Sequence, residues 1–515
     1  MLDKGPAPLP PFSFSRVLRT VEATHHVARL LAPLLRKGDM LTLGGTLGSG
    51  KTAFARALIR FLAQDSLLDV PSPTFTLLQI YDTPPMAIVH ADLYRINDPE
   101  ELEELGWDEA AQDALMLVEW PDRLGPMTPP NRLDLTFSFS EEEGDIRHLT
   151  ITGYGDWAQR LQSFHRVQDF LERSGYAAAR RVPIQGDAST RAYERLELDG
   201  KSVIFMIAPR RPDGPPIRWG KSYSALAHLS ESVDAFVAMA DGLRRQGLSA
   251  PEIFAQDLDH GLLIVEDLGQ EGIAAKGQVI FDRYQAAVEV LADLHRHTLP
   301  LRLPVTGGED HVLPLYDLDA LGIETELLLD WYVPFHMQKE LSANARSRFV
   351  ALWRETLTPV TDHDPVWTLR DYHSPNLLWL PEREGLKRIG IIDFQDAVMG
   401  HPAYDLVSLL QDARLCVDEE TEMHLLRHYV DLRRSKQMGY NFKDLIQSYA
   451  ILGAQRATKI LGIFVRLNKR DNKPDYMKHL PHIEAYLRRN LKHPALSGLH
   501  DWYQTHLPKL LDPAP

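Results

Sequence analysis

Residues Gly45 to Thr52 read GTLGSGKT and fit the pattern G-x-x-x-x-G-K-[ST]. A loop of this kind holds phosphate. Gly45, Gly48 and Gly50, with Ser49 between them, let successive backbone N–H groups turn inward around an anion. Lys51 sets an ammonium at the β- and γ-phosphates, and Thr52 offers a hydroxyl to Mg²⁺. A helix starting here points its positive end at the same charge. Phosphate loops also need a carboxylate for the metal and a group that orients water. Asp92 in HADLYR and Glu119 in VEWPDR each follow an apolar run, which puts them at strand ends, where open α/β sheets collect ligands. Ser72, Pro73, Thr74 and Phe75 lie between the loop and those strands, in the position of a segment that senses a γ-phosphate.

A second, unrelated constellation lies far downstream. Residues Leu369 to Asn376 read LRDYHSPN and contain R-D-x-x-x-x-N. After the apolar run LLWL comes IIDFQD, a strand-like segment ending at Asp393. Phosphoryl transfer to a hydroxyl needs a carboxylate that accepts the hydroxyl proton, here Asp371. It also needs oxygen donors that hold Mg²⁺ against the nucleotide, here Asn376 and Asp393. His373 inside the loop and Asp405 in HPAYDLVSLL are expected to brace it rather than to react. LIVEDLG, around Glu266, reads as a strand leading to a hinge that meets adenine through backbone groups. GDASTR, Gly186 to Arg191, could form a loop over the phosphates.

These residues need elements to position them. Through about residue 155 the chain reads as α/β: an amphipathic stretch from Val21 to Leu35, a strand Met40–Leu43, and a helix with Phe54, Leu58, Phe61 and Leu62 on one face. Strands at Met86–Val89 and Leu115–Val118 follow, then a hairpin whose first arm alternates Leu133, Leu135, Phe137 and Phe139 with polar residues. The expected domains are 1–155 and 165–515, the second divided into a β-rich small lobe at 165–265 and a helical large lobe at 270–515. A boundary is expected between Tyr154 and Arg166.

Composition narrows the function classes. The 515 residues carry 56 Lys and Arg against 71 Asp and Glu, a net charge of −15, so a broad duplex-binding surface is not expected. The single cysteine, Cys416, excludes a disulfide framework or a thiolate zinc site and fits a reducing cytoplasm. No apolar run has the length of a membrane span, and the N-terminus lacks the apolar core of a secretory signal. Arg456, Lys459 and Arg466 form a basic stripe with Phe464, readable either as a solvated face or as a contact for an acidic substrate group.

GGTLGSGKT, SPTFTL, HADLYR and EWPDR, in that order, resemble the bacterial tRNA threonylcarbamoyladenosine biosynthesis ATPase family, TsaE. The resemblance implies a P-loop NTPase fold that binds ATP and Mg²⁺ and works with the protein subunits that install threonylcarbamoyl on tRNA. It implies that Lys51 and Thr52 bind phosphate and metal, that Glu119 and Asp92 serve metal and water, and that Thr24 lies near the nucleotide. One departure is Ala91, where the family usually has Phe before the Asp. The downstream segments GDASTRAYERL, LIVEDLG, LRDYHSPNLLWLP and IIDFQDAVMGHPAYDL resemble the aminoglycoside phosphotransferase-like kinases. Within these they are nearest the amino-sugar kinases of the AmgK type, which phosphorylate the anomeric hydroxyl of N-acetylmuramate and N-acetylglucosamine. That resemblance implies a two-lobed protein-kinase-like α+β fold, an amino-sugar substrate, Asp371 as base, and Asn376 and Asp393 as metal ligands. The usual small-lobe lysine is missing from SVIFMIAPR, where Met206 or a neighbour occupies its place; Lys201, Arg210, Arg211 and Lys221 are the candidate substitutes. A kinase for an aminoglycoside or choline-like molecule, or a pseudokinase scaffold, are the alternatives for the second part; a generic nucleotide-binding module is the alternative for the first.

Overall fold

The computed structural model describes residues 10–84, 86–104, 106–140, 146–184, 191–210, 213–436 and 440–512. The chain divides into two compact units, Met1–Arg173 and Ser174–Pro515.

The first unit runs β1 (Phe12–Leu18), α1 (Val21–Leu31), β2 (Met40–Gly44), α2 (Lys51–Leu62), β3 (Leu78–Tyr81), β4 (Ala87–Asp92), short helices α3 (Glu101–Glu104) and α4 (Trp107–Asp113), β5 (Ala114–Glu119), β6 (Arg132–Phe139), β7 (Arg147–Tyr154) and α5 (Asp156–Arg173). The strand order is β1-β7-β6-β2-β5-β4-β3. β6, β2, β5 and β4 are parallel neighbours, and the outer strands pair antiparallel. Every residue of β5 is buried. Leu115 and Leu117 enter one core with α1 and α2, and Met116 and Val118 enter another with Leu102 and Trp107. A strand buried on both faces has no polar side to show, hence the unbroken apolar run ALMLV.

Three details differ from the sequence expectations. The helix after the loop buries Phe54, Ala55, Leu58 and Ile59, while Phe61 is 44% exposed, so its apolar stripe is rotated toward the alanine. β1 and β3 complete the sheet where no strand was expected. β1 is an edge strand of alternating Phe and Ser whose partner lies at the far end of the unit, and hydroxyl pairs Ser13–Thr152 (2.9 Å) and Ser15–Thr150 (3.1 Å) tie the two together. The unit also ends later than the expected Tyr154–Arg166 boundary. α5 buries Trp157 and Leu161 in the first core, and Arg160 reaches the Asp39 carboxylate at 2.7 Å, so Arg173 is the last residue held there.

The second unit begins with β8 (Arg180–Ile184), β9 (Ala192–Leu198), β10 (Lys201–Ile207), α6 (Tyr223–Leu226), α7 (Asp234–Arg245), β11 (Ile253–Asp257) and β12 (Leu262–Glu266). The strands form one antiparallel sheet in the order β11-β12-β10-β9-β8. The rest is helical: α8 (Phe281–Leu294), α9 (Leu318–Leu327), α10 (Ala343–Thr361), α11 (Ala403–Leu410), α12 (Glu419–Lys436), α13 (Phe442–Asp471) and α14 (Leu480–Asn490). α13 is buried along most of its length and is the axis around which α9, α11 and α14 pack. Between α10 and α11 the chain makes two small antiparallel ribbons, Leu377–Trp379 with Ile389–Ile391 and Val366–Thr368 with Val398–Gly400. Among the described residues, no helix is long and apolar enough to cross a membrane.

Candidate functional site

Each unit carries its own cluster of reactive side chains. In the first, β2 delivers the chain into the glycine loop and α2 leaves it at Lys51. Gly45 has φ +131°, and a Cβ there would lie 2.3 Å from the Phe137 carbonyl oxygen, so only glycine fits. Gly48 (φ +75°) and Gly50 (φ +115°) also take conformations that side chains resist. The Ser49 hydroxyl is buried inside the loop with no hydrogen-bond partner, a donor set for an anion. Lys51 is buried and donates to the Gly45 and Thr46 carbonyls, both at 2.9 Å, with its ammonium 4.0 Å from the centre of the Trp120 ring. Burial lowers its pKa, and Glu119 and Asp92 pull in the opposite direction. A lysine satisfied only by carbonyls and an aromatic face is readily drawn to a stronger anion.

β4 and β5 run in register, which sets Asp92 beside Glu119 at the ends of the two strands. The two acids then do different things. Glu119 accepts from the Thr52 hydroxyl at 3.0 Å, so carboxylate and hydroxyl form a corner of hard oxygen donors suited to Mg²⁺. Asp92 accepts from the hydroxyls of Ser72 (2.9 Å) and Thr74 (2.8 Å) and thereby tethers the SPTF segment to the sheet. His90, two residues before Asp92, is buried and bonds the other Glu119 oxygen at 3.0 Å. Sequence reasoning passed over His90, although the H-x-D alternation already places it on the face of β4 that carries Asp92. Thr24 is buried on α1, which packs against α2; among the described residues, nothing joins it to the Lys51–Thr52–Glu119 contacts.

In the second unit one ribbon positions the chemistry. Leu377 pairs with Ile391, and the Ile392 N–H donates to the Asn376 carbonyl at 3.1 Å, so Asn376 and Asp393 emerge together at one end. The Asn376 amide donates to the Asp371 carbonyl at 3.0 Å, leaving its own oxygen as acceptor, and its nitrogen lies 3.4 Å from Asp393 Oδ2. Asp371, Asn376 and Asp393 are therefore brought together. The side chains of Asp371 and Asp393 are 37% and 42% exposed, so each keeps part of its carboxylate accessible. Arg370 and Asp393 hold left-handed backbones (φ +66° and +59°), conformations costly enough to persist only where the surroundings impose them. Burial and the charge of Asp371 raise the pKa of Asp393. For Asp371, burial alone would act the same way, but the surrounding cations, Arg456 and Lys459 among them, hold its carboxyl below the ordinary range. Two neighbouring carboxylates, one of them reluctant to ionise, suit a bound cation.

Supports converge on this loop from behind. Asp405 accepts from the N–H groups of Leu369 (2.7 Å) and Arg370 (2.9 Å), and Asp412 accepts from the N–H and hydroxyl of Ser374. Arg370 turns inward to Glu324 and to the Ala227 carbonyl. Glu324 also accepts from Lys459 at 2.7 Å. His373 accepts from Arg414 at 2.6 Å, and burial drives its pKa down to about 4. Of the basic stripe, Arg456 and Lys459 are buried rather than solvated; Arg456 reaches within 4.0 Å of the Asp371 carboxylate. Glu266 directs its carboxylate to Arg383 and Arg244, and its N–H to the Glu252 carbonyl, so neither faces outward to a base. Gly186 to Thr190 of the expected phosphate loop, and Arg211, lie outside the described residues.

Comparison with known proteins follows the same division. The family model for the threonylcarbamoyl adenosine biosynthesis protein TsaE matches residues 18–148, and that for the phosphotransferase enzyme family matches residues 180–436. The chain is 38% identical over 353 residues to the N-acetylmuramate/N-acetylglucosamine kinase of Caulobacter vibrioides, covering 66% of this chain and 95% of that protein. The kinase of the same name in Pseudomonas aeruginosa is 29% identical over 326 residues, 62% of this chain and 86% of that one. The tRNA threonylcarbamoyladenosine biosynthesis protein TsaE of Rickettsia felis is 38% identical over 126 residues, 24% of this chain and 73% of that one.

Proposed function

Because the chain belongs to the TsaE family over its first unit and to the N-acetylmuramate/N-acetylglucosamine kinase family over its second, we propose that one polypeptide carries two ATP-using activities. The second unit transfers the γ-phosphoryl of ATP to the anomeric hydroxyl of N-acetylmuramate or N-acetylglucosamine. The observation that carries this reading is the ribbon that holds Asn376 and Asp393 beside Asp371. Asp371 orients the sugar hydroxyl and accepts its proton; its lowered pKa keeps it ionised for that task. Asp393 and the Asn376 oxygen are the donors that would hold Mg²⁺, which when bound neutralises phosphate charge. The rest of the catalysis is positioning: Asp405 and Asp412 fix the loop backbone so that the base meets the hydroxyl in line with the transferred group.

The first unit is an ATPase supporting threonylcarbamoyl transfer to a tRNA adenosine. Its loop N–H groups and Lys51 hold the phosphates, Thr52 and Glu119 would hold Mg²⁺, and Asp92 keeps the SPTF segment near the γ-phosphate. Its partners are the protein subunits of the transfer complex, which bring the tRNA.

The test is phosphorylation of N-acetylmuramate by the intact chain, with the transfer site identified by NMR and Asp371→Ala as control. Transfer to the anomeric oxygen supports the reading. Transfer only to an aminoglycoside, or none to any sugar while nucleotide still binds, would replace it with the antibiotic-kinase or scaffold alternative. For the first unit, capture of the threonylcarbamoyl-transfer subunits on the immobilised chain in the presence of ATP is expected, and failure to capture them counts against it.

A further inference from the structure

The sheet of the second unit lacks the lysine that protein-kinase-like folds use to bind nucleotide phosphates, and the structure shows what has taken its place. The sequence puts Met206 or a neighbour on β10 at that position, and Met206 is buried in one apolar cluster with Phe236 of α7 and Phe394. The Phe236 and Phe394 rings stack at 4.9 Å. β10 and α7 thus meet through apolar side chains at this point. Of the substitutes suggested by sequence, Lys201, Arg210 and Lys221 are exposed and none has a carboxylate of the Asp371–Asn376–Asp393 set as an ion-pair partner among the described residues, while Arg211 lies outside the described residues. Arg195 is committed to Asp267 at 2.6 Å.

A further cation stands just before the neighbouring strand. Antiparallel partners share a face, and Tyr193 of β9 pairs directly with Met206. Arg191, two residues before Tyr193, continues that face past the strand end. Its guanidinium lies 3.5 Å from Asp393 Oδ1 and is 19% exposed. Gln395 donates to the same oxygen at 2.8 Å. We propose that Arg191 is the residue that grips the nucleotide phosphates in the second unit, a fork-shaped donor reaching from the neighbouring strand in place of the lysine. The proposal rests on the reading of this unit as an ATP-using kinase. In it, Asp393 would be free to hold Mg²⁺ once Arg191 turns from its carboxylate to phosphate oxygens.

The experiment is titration of the full chain with Mg·ATP, in a Lys51→Ala background that disables the first site. Arg191→Gln is expected to weaken binding by about tenfold to a hundredfold, the loss of a charge-assisted contact, and Arg191→Lys to recover part of it. In the sugar-phosphorylation assay the KM for ATP should rise while the KM for the sugar changes less than about threefold. Arg210→Gln and Lys221→Gln should leave both unchanged. Opposite outcomes separate the roles. If Arg191 only neutralises Asp393, Arg191→Gln will bind Mg·ATP as tightly as the parent or more tightly, and the proposal falls. It falls equally if Arg210→Gln or Lys221→Gln produces the loss. Should the parent bind Mg·ATP and yet phosphorylate no sugar, the kinase assignment fails while the titration still decides on Arg191.

Discussion

If Asp371 is the base proposed above, its removal should separate chemistry from binding. Asp371→Asn keeps the shape and loses the base. Its kcat for sugar phosphorylation should fall by about 10² to 10⁴, the usual worth of a positioned base, while the KM for ATP shifts little. His401 gives a pH prediction. It is buried against His363, and burial with its histidine neighbours drives its pKa down to about 3. In the unfolded chain it titrates near ~6.5. Unfolded chains therefore bind a proton that folded ones refuse between those values. The stability from a neutral His401 is complete above ~6.5 and drains as pH falls toward about 3, by at most about 1.4 kcal/mol per pH unit. Urea unfolding at pH 7 and pH 5 should show a smaller acid loss for His401→Gln than for the parent. Equal losses would mean that His401 is not protected from protonation.

At the scale of elements, the two sites are assembled by opposite devices. The first depends on glycine where strand turns into helix. Gly45→Ala would drive a methyl into the Phe137 carbonyl, so ATP hydrolysis by the first unit should be lost while sugar phosphorylation persists. The second depends on a carboxylate holding backbone. Asp405→Ala would orphan the buried N–H groups of Leu369 and Arg370, costing about 2–4 kcal/mol in the second unit and lowering its kcat, with the ATPase untouched. Stability of the second unit equal to the parent's would sink that account.

These elements also mark how far the sequence could be read. β2, β4 and β5 were legible because burial on both faces writes mostly apolar runs, unbroken in β5 and interrupted in β2 by Thr42 alone. The Asp371, Asn376 and Asp393 set was legible because one short ribbon brings its members together. β1 was not: an edge strand of alternating Phe and Ser makes sense only beside β7, more than a hundred residues away. For Arg456 and Lys459 the sequence left two readings open, and burial removes the solvated face for the same reason. Each is a surface residue by type, and what buries Lys459 is Glu324, on another helix, which nothing local announces. Arg191 was already legible as the last residue of GDASTR, but its reach to Asp393, 202 residues on, was not.

For the whole molecule, two separate nucleotide sites mean two separable stoichiometries. Calorimetric titration of the intact chain with a non-hydrolysable Mg·ATP analogue should give two equivalents, falling to one with Lys51→Ala and to one, a different one, with Asp393→Ala. A single equivalent for the parent would refute the division of labour. The two variants should also split the activities: Lys51→Ala loses hydrolysis and keeps sugar phosphorylation, and Asp393→Ala does the reverse.

Arg370 carries a last consequence. In kinases governed by phosphorylation, the arginine beside the catalytic aspartate waits for a phosphate attached by another enzyme. Here that arginine already has its counter-charge in Glu324, sealed in the interior with Lys459. An arginine neutralised from within in this way needs no added phosphate to balance its charge.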